Sequence, residues 1–237
     1  MLRSCLFFIL SVSVVSCAKG GFSASIINDL SNDQSSQSPL EPLPAPPPGF
    51  QPLLWESARA EGALWSKFIL GLLQNDANSI VEKSDDMKVF CPTYAHLSKT
   101  QRFNVAAMLV SAIAKFESDF DPLSRSTETN LGTDPVTGKQ VVSEGLLQLS
   151  YQDTMGRSYC QFDWNADKNL GDKDPRKTIL NPFKNLRCGL LILAEQVDRY
   201  GSLIIEQGNY WAVIRKNGKF QKIHEISQLV QTLTYCK

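Results

Sequence analysis

From residue 99 to 118 the chain reads KTQRFNVAAMLVSAIAKFES, with apolar residues at Phe103, Ala106, Ala107, Val110, Ile113 and Ala114. That spacing is one face of a helix, and continuing the face by three or four positions reaches Glu117. Ser98 stands in front as the N-cap. The same periodicity predicts a helix over 55–74, with Leu54, Ala58, Leu64, Phe68 and Leu72 on its apolar side. Asn181-Pro182 opens another helix, which runs to Tyr200 and is closed by Gly201. Segments 146–151, 209–215 and 223–235 also read as helical. After Pro122 the chain is polar up to Gln140 and contains Asp134-Pro135-Val136-Thr137-Gly138, a turn signal, before Val141 and Val142. This predicts one small hairpin. Residues 157–180 are charged and loop-like. The pattern predicts a mainly α domain with a small β element.

The N-terminal fifth reads differently. Residues 1–16 form a secretion signal, with Arg3 before an apolar core from Leu6 to Val15 that is too short to span a bilayer. Val14-Val15-Ser16-Cys17 resembles the bacterial lipobox, which implies Cys17 as a lipidation site and a lipid-anchored exported protein. Ala18 follows rather than Asp, which by analogy with enterobacterial sorting favours the outer membrane, facing the periplasm. Residues 17–50 carry the anchor and a linker ending in Pro42-Leu43-Pro44-Ala45-Pro46-Pro47-Pro48. Such a composition buries no core. Its reach is roughly 110 Å fully stretched and about 30 Å as a coil, enough for a domain to leave its membrane. Residues 51–237 then form one domain by length.

Lys and Arg together number 24 and Asp and Glu 24, and no basic stripe is present, so nucleic acid is not an expected partner. Of six cysteines, Cys5 leaves with the signal and Cys17 is the lipid site. Cys91, Cys160, Cys188 and Cys236 remain, an even number in an exported domain, which suggests two disulfides. Three connectivities are open. Cys160–Cys188 with Cys91–Cys236 is the expected one, tying the C-terminal helix back to the start of the domain. A zinc site is the rival use, but no CxxC or HxxxH spacing supports it, and His96 and His224 stand alone. No metal or cofactor is expected.

Glu117 carries the candidate chemistry. A carboxyl group on a core-facing position resists ionisation and can act as a general acid near neutral pH. Glu117-Ser118, then Phe120 and Pro122, then Gly145-Leu146-Leu147-Gln148-Leu149-Ser150, resembles the lytic transglycosylase and goose-type lysozyme superfamily. The resemblance covers about residues 85–215 and implies a lysozyme-like fold. It further implies cleavage of the β-1,4 bond between MurNAc and GlcNAc by one catalytic Glu, leaving 1,6-anhydroMurNAc ends. Glu117 would be acid and then base. Ser118, Gly145, Leu147, Gln148 and Tyr151 would bind or line the glycan, and the expected partner is the peptidoglycan strand, met by a monomer.

Two departures from the family pattern stand out. Glu144 occupies the place of a small residue before the motif Gly, and a carboxylate there would position a water or pair with a sugar amine. Holding a water would favour a lysozyme-type hydrolase, and pairing with an amine would favour deacetylated glycan. The family's Ala-Tyr-Asn motif is replaced by Gly208-Asn209-Tyr210-Trp211-Ala212, in which Tyr210 is the candidate for the Tyr that contacts the catalytic Glu. A non-catalytic wall-binding lipoprotein is the reading from another class.

Overall fold

The computed structural model describes residues 48–237; the signal segment 1–16, Cys17 and the linker up to residue 47 lie outside the described residues. A 3-10 turn at Leu54–Glu56 leads to helix α1 (Gly62–Asn75), followed by two single-turn helices, α2 (Ser79–Glu82) and α3 (Met87–Phe90). Helix α4 (Lys99–Ser118) comes next, then strands β1 (Arg125–Thr127) and β2 (Val142–Glu144), short helix α5 (Trp164–Asp167), and the longer α6 (Pro182–Tyr200) and α7 (Ile223–Val230). The two strands pair antiparallel, with Arg125 opposite Glu144 and Thr127 opposite Val142. The architecture is mainly α with one small sheet.

Helix α4 is the axis of the molecule. Ser98 Oγ accepts from the Gln101 N–H, while the Ser98 N–H donates to the Gln101 side chain, a reciprocal cap. From Phe103 to Ala114 every residue is buried, Asn104 and Ser111 included. The helix is therefore wrapped on all sides by α1, α7 and the Leu54–Glu56 turn, rather than presenting a single stripe to the core. Asn104 serves as a buried clamp. Its Oδ1 accepts from the Gln51 N–H at 2.7 Å and from the Tyr235 hydroxyl, and its Nδ2 donates to the Gln51 carbonyl at 3.0 Å. Both ends of the described chain are thus fastened to the central helix.

Four predicted helices differ in the structure, that over 223–235 only in length, since it is helical over Ile223–Val230. The segment 55–74 is broken, because the chain turns back after Glu56 and α1 begins only at Gly62. A Cβ at Gly62 would lie 2.4 Å from the Trp55 carbonyl oxygen, so glycine alone allows this approach. The fold-back buries Trp55 against Trp65 and lets its Nε1 donate to Ser66 Oγ at 2.8 Å. Segment 146–151 is a tight turn rather than a helix, closed by paired backbone bonds between Glu144 and Leu149, with a 3-10 turn only from Tyr151–Thr154. Segment 209–215 keeps one 3-10 turn, Ala212–Ile214. Helices Lys99–Ser118 and Pro182–Tyr200 form as predicted, the second with Asn181 as N-cap, Pro182 at its first position and Gly201 left-handed at its end.

The disulfides are Cys91–Cys236 and Cys160–Cys188. The first joins α3 to the C-terminus, and the second pins the 157–180 loop to α6. Their loops span 145 and 28 residues, and chain entropy assigns them roughly 5 and roughly 3.6 kcal/mol respectively. The double variant Cys91→Ser/Cys236→Ser is accordingly expected to lower the melting temperature more than Cys160→Ser/Cys188→Ser. Calorimetry showing no loss in either variant would contradict a stabilising role.

Candidate active site

Helix α4 ends one residue after Glu117, and the way it ends sets the site. Asp119 and then Phe120 both adopt left-handed backbone, φ 51° and 62°, a strained pair for non-glycine residues. Burial of the Phe120 ring against Trp55 and the bond from the Asp121 N–H to the Ser118 carbonyl hold this bend. The turn sends the chain from the helix directly into β1. Ser118 is buried, and its Oγ donates to the Ala114 carbonyl at 3.1 Å and to Leu146 at 2.9 Å. It ties the helix end to the Gly145–Leu149 turn.

Glu117 is half-buried, and its carboxyl is pushed up to about 7 from an ordinary value of 4.5. Burial is the larger cause and the negative charge of Glu128 the second. Among the described residues no Lys or Arg forms an ion pair with it. The C-terminal end of α4 adds partial negative charge, which acts in the same direction. The carboxyl therefore keeps its proton to a higher pH than an exposed glutamate does.

Glu128 is the residue that sequence reasoning missed. It extends the strand pairing, with its N–H donating to the Val141 carbonyl at 2.9 Å. Side chains alternate along a strand, so Glu128 shares a face with Ser126 and Ser143. Glu144 belongs to the opposite face. There its carboxylate is 3% exposed, ion-paired with Lys177 and 3.6 Å from Arg125. The sequence left Glu144 open to holding a water or pairing with a sugar amine; the structure places its carboxylate against Lys177 and Arg125. Its charge is already committed at the rear of the hairpin.

The Gly145–Leu149 turn is built around Asn185, a fully buried residue on α6. Asn185 Oδ1 accepts from the Leu147 N–H at 2.8 Å, and its Nδ2 donates to the carbonyls of Glu144 and Ile179. Gly145 has φ +81°, and a Cβ there would lie 2.4 Å from the Asn185 amide nitrogen, so glycine is required twice over. Gln148 is also left-handed, φ 50°, and its amide donates to the Gly145 carbonyl at 2.9 Å while the residue stays half-buried. Leu147 is buried against Gly189, and its carbonyl accepts from Trp211 Nε1 at 2.9 Å. Tyr151 is buried too, donating to Asp167 at 2.8 Å and packed edge-on to Trp164. The side chains of Leu147 and Tyr151 are thus packed within the fold. Tyr210 donates to Asp153 at 2.6 Å, and Asp153 also accepts from the Ser150 N–H. Its hydroxyl therefore holds the segment after the motif rather than Glu117. An Asn one turn inside a helix gave no sequence signal of the clamp that Asn185 provides.

The arrangement brings together a protonatable carboxyl, a second carboxylate whose charge reaches it and, through Ser118, the Gly145–Leu149 turn. Among the described residues no group of His, Cys, Asp and Glu is placed to hold a metal ion. The family described as Transglycosylase SLT domain matches residues 95–215, which run from just before α4 to beyond Trp211. Among solved structures, a glutamate-to-glutamine mutant of Bd0314 DslA aligns at 29% identity and TM-score 0.64, covering 79% of this chain and 99% of that one. Its wild-type form 2 and a second glutamate-to-glutamine mutant each align at 30% identity and TM-score 0.62, covering 78% and 97%. The two mutated glutamates are eleven positions apart by their printed numbers. No curated protein matches the chain significantly. The fold is lysozyme-like.

Because the folded-state value of Glu117 lies above its unfolded one, its contribution to stability is full below about pH 4.5 and is lost as pH rises toward 7. Glu117→Gln removes this dependence. It is expected to unfold at higher denaturant than the wild type at pH 8, by roughly 3 kcal/mol, with the gap closing at pH 4. A gap that does not change with pH would mean that the carboxyl is ordinary.

Proposed function

The chain belongs to the SLT transglycosylase family, whose members cleave glycosidic bonds of peptidoglycan, and on that footing we propose that it is a lytic transglycosylase with Glu117 as its single acid and base. The observation that carries the reading is the half-buried carboxyl of Glu117 in the last turn of α4, pushed up to about 7, with no Lys or Arg ion-paired to it among the described residues. Protonated Glu117 gives its proton to the oxygen between MurNAc and GlcNAc as the C1–O bond breaks, through an oxocarbenium-like transition state. The resulting carboxylate then takes the proton of the MurNAc C6 hydroxyl, whose oxygen attacks C1. The product is a 1,6-anhydro ring, Glu117 is again protonated, and no water is consumed. The rigid Gly145–Leu149 turn, with half-buried Gln148, is the wall that holds the sugar in place.

A second reading is favoured by Glu128. Its charge reaches Glu117, and the interval from Glu117 to Glu128 is eleven residues, the same as between the two glutamates replaced in the Bd0314 DslA structures. A carboxylate at that place can orient a water to attack C1, and the enzyme would then be a hydrolase of the same fold. The role given in the sequence to Glu144 passes to Glu128.

SLT enzymes act on peptidoglycan outside the cytoplasm, which implies export. The four paired cysteines suit an oxidising compartment. Among the described residues no helix is long and apolar enough to cross a membrane. Attachment through a lipid on Cys17, at the outer membrane and with the linker as tether to a catalytic domain over 51–237, completes the proposal.

Glu117→Gln is expected to stop release of soluble fragments from purified sacculi while the protein stays folded. Mass spectrometry of wild-type products is expected to give anhydromuramic ends. Reducing ends that vanish with Glu128→Gln would establish the hydrolase instead, and unimpaired release by Glu117→Gln would remove Glu117 from the chemistry. Cys17→Ser is expected to move the protein from the membrane fraction to the soluble one.

A further inference from the structure

The face of the hairpin that carries Glu144 borders a cavity of about 70 Å³, lined on its far side by residues of the loop from Trp164 to Lys177. That is room for a few waters or one planar carboxylate. Its lining holds four cations and four carboxylates, but the two signs are used differently. Glu144 is paired with Lys177 at the floor, and Arg125 lies between Glu144 and Asp172 at 3.6 and 3.3 Å. Asp167 accepts from the Tyr151 hydroxyl and the Thr178 N–H, both at 2.8 Å. Asp134 accepts from the N–H groups of Val136 and Gln152. Every carboxylate is thus spoken for by neighbours.

Two cations at the rim are not matched in this way. Lys139 lies over the Trp164 ring at 5.1 Å, and Lys168 donates only to the Asn165 side-chain oxygen at 3.2 Å. Among the described residues neither has a carboxylate within ion-pair distance. Both side chains are exposed, and a contact with an aromatic face at the surface is a weak hold that an anion can replace. The floor carries a buried carboxylate, so a single negative charge suits the cavity better than a doubly charged phosphate.

We propose that this rear cavity is a binding subsite for a carboxylate of the peptidoglycan stem peptide, held between Lys139 and Lys168 beside Trp164. The proposal rests on the peptidoglycan reading above. The stem peptides carry acidic groups of the polymer on arms that project from every muramic acid. The cavity and Glu128 lie on opposite faces of the same two-stranded hairpin, and the arm would pass round its edge. The subsite would make the enzyme favour glycan that still carries peptides.

The test uses the full-length Glu117→Gln protein, so that no turnover intervenes. It is titrated by calorimetry with a synthetic stem tetrapeptide bearing free carboxylates, with the same peptide fully amidated, and with sodium acetate at matched ionic strength. The tetrapeptide is expected to bind. The added change Lys139→Gln/Lys168→Gln is expected to weaken it by about tenfold or more, the scale of losing charge-assisted hydrogen bonds. Lys139→Arg/Lys168→Arg is expected to retain binding, and an unchanged circular dichroism spectrum excludes misfolding as the cause. Absence of tetrapeptide binding, equal binding of the amidated peptide, or indifference to the Lys→Gln changes would each overturn the proposal. Acetate binding as tightly as the peptide would overturn the peptide assignment in favour of a general carboxylate site. Failure of the product analysis with active enzyme would sink the transglycosylase reading separately, since this titration does not involve cleavage.

Discussion

A carboxyl group is kept partly out of water at the C-terminal end of a helix, with the charge of Glu128 reaching it and, among the described residues, no Lys or Arg ion-paired to it. Each of these conditions opposes ionisation, and all of them cost folding free energy once the pH exceeds the group's unfolded value. The rest of the molecule makes that position tenable. The helix that carries Glu117 is surrounded by core from Phe103 to Ala114, so its end cannot fray toward solvent. Two successive left-handed residues turn the chain immediately after it, and the buried Phe120 ring fixes the turn. Strain of this kind survives only where surrounding packing determines the conformation.

The hairpin separates two electrostatic tasks by the alternation of a strand. Glu128 and Glu144 lie on pairing strands one step out of phase, and that single step sends them to opposite faces. On one face a carboxylate raises the proton affinity of Glu117. On the other, a carboxylate is neutralised by Lys177 and Arg125 and holds the 157–180 loop against the sheet. The rear pair also secures the strand that leads into Gly145, so the two faces meet again at the motif turn.

Buried amides do the remaining positioning. Asn104 binds both ends of the described chain to α4, and Asn185 fixes three backbone groups around the motif turn. A buried amide left without partners is costly, and a satisfied one allows only one arrangement of its neighbours. The Cys160–Cys188 disulfide holds α6, and with it Asn185, to the loop on the far side.

The helix over Lys99–Ser118 with its cap, the helix from Pro182 with its Asn and Gly boundaries and the presence of one hairpin were legible in the chain itself. These depend on local rules: periodicity, capping chemistry and the φ preferences of Pro and Gly. The tertiary structure decided what depends on which side of an element is covered. It decided that α4 is buried all round and that Gly62 lets the chain fold back on Trp55. It decided that Leu147 and Tyr151 face inward, and that Glu128 rather than Glu144 stands with Glu117. Neighbouring residues in a strand have opposite fates, and the chain records their order but not which face the core will take.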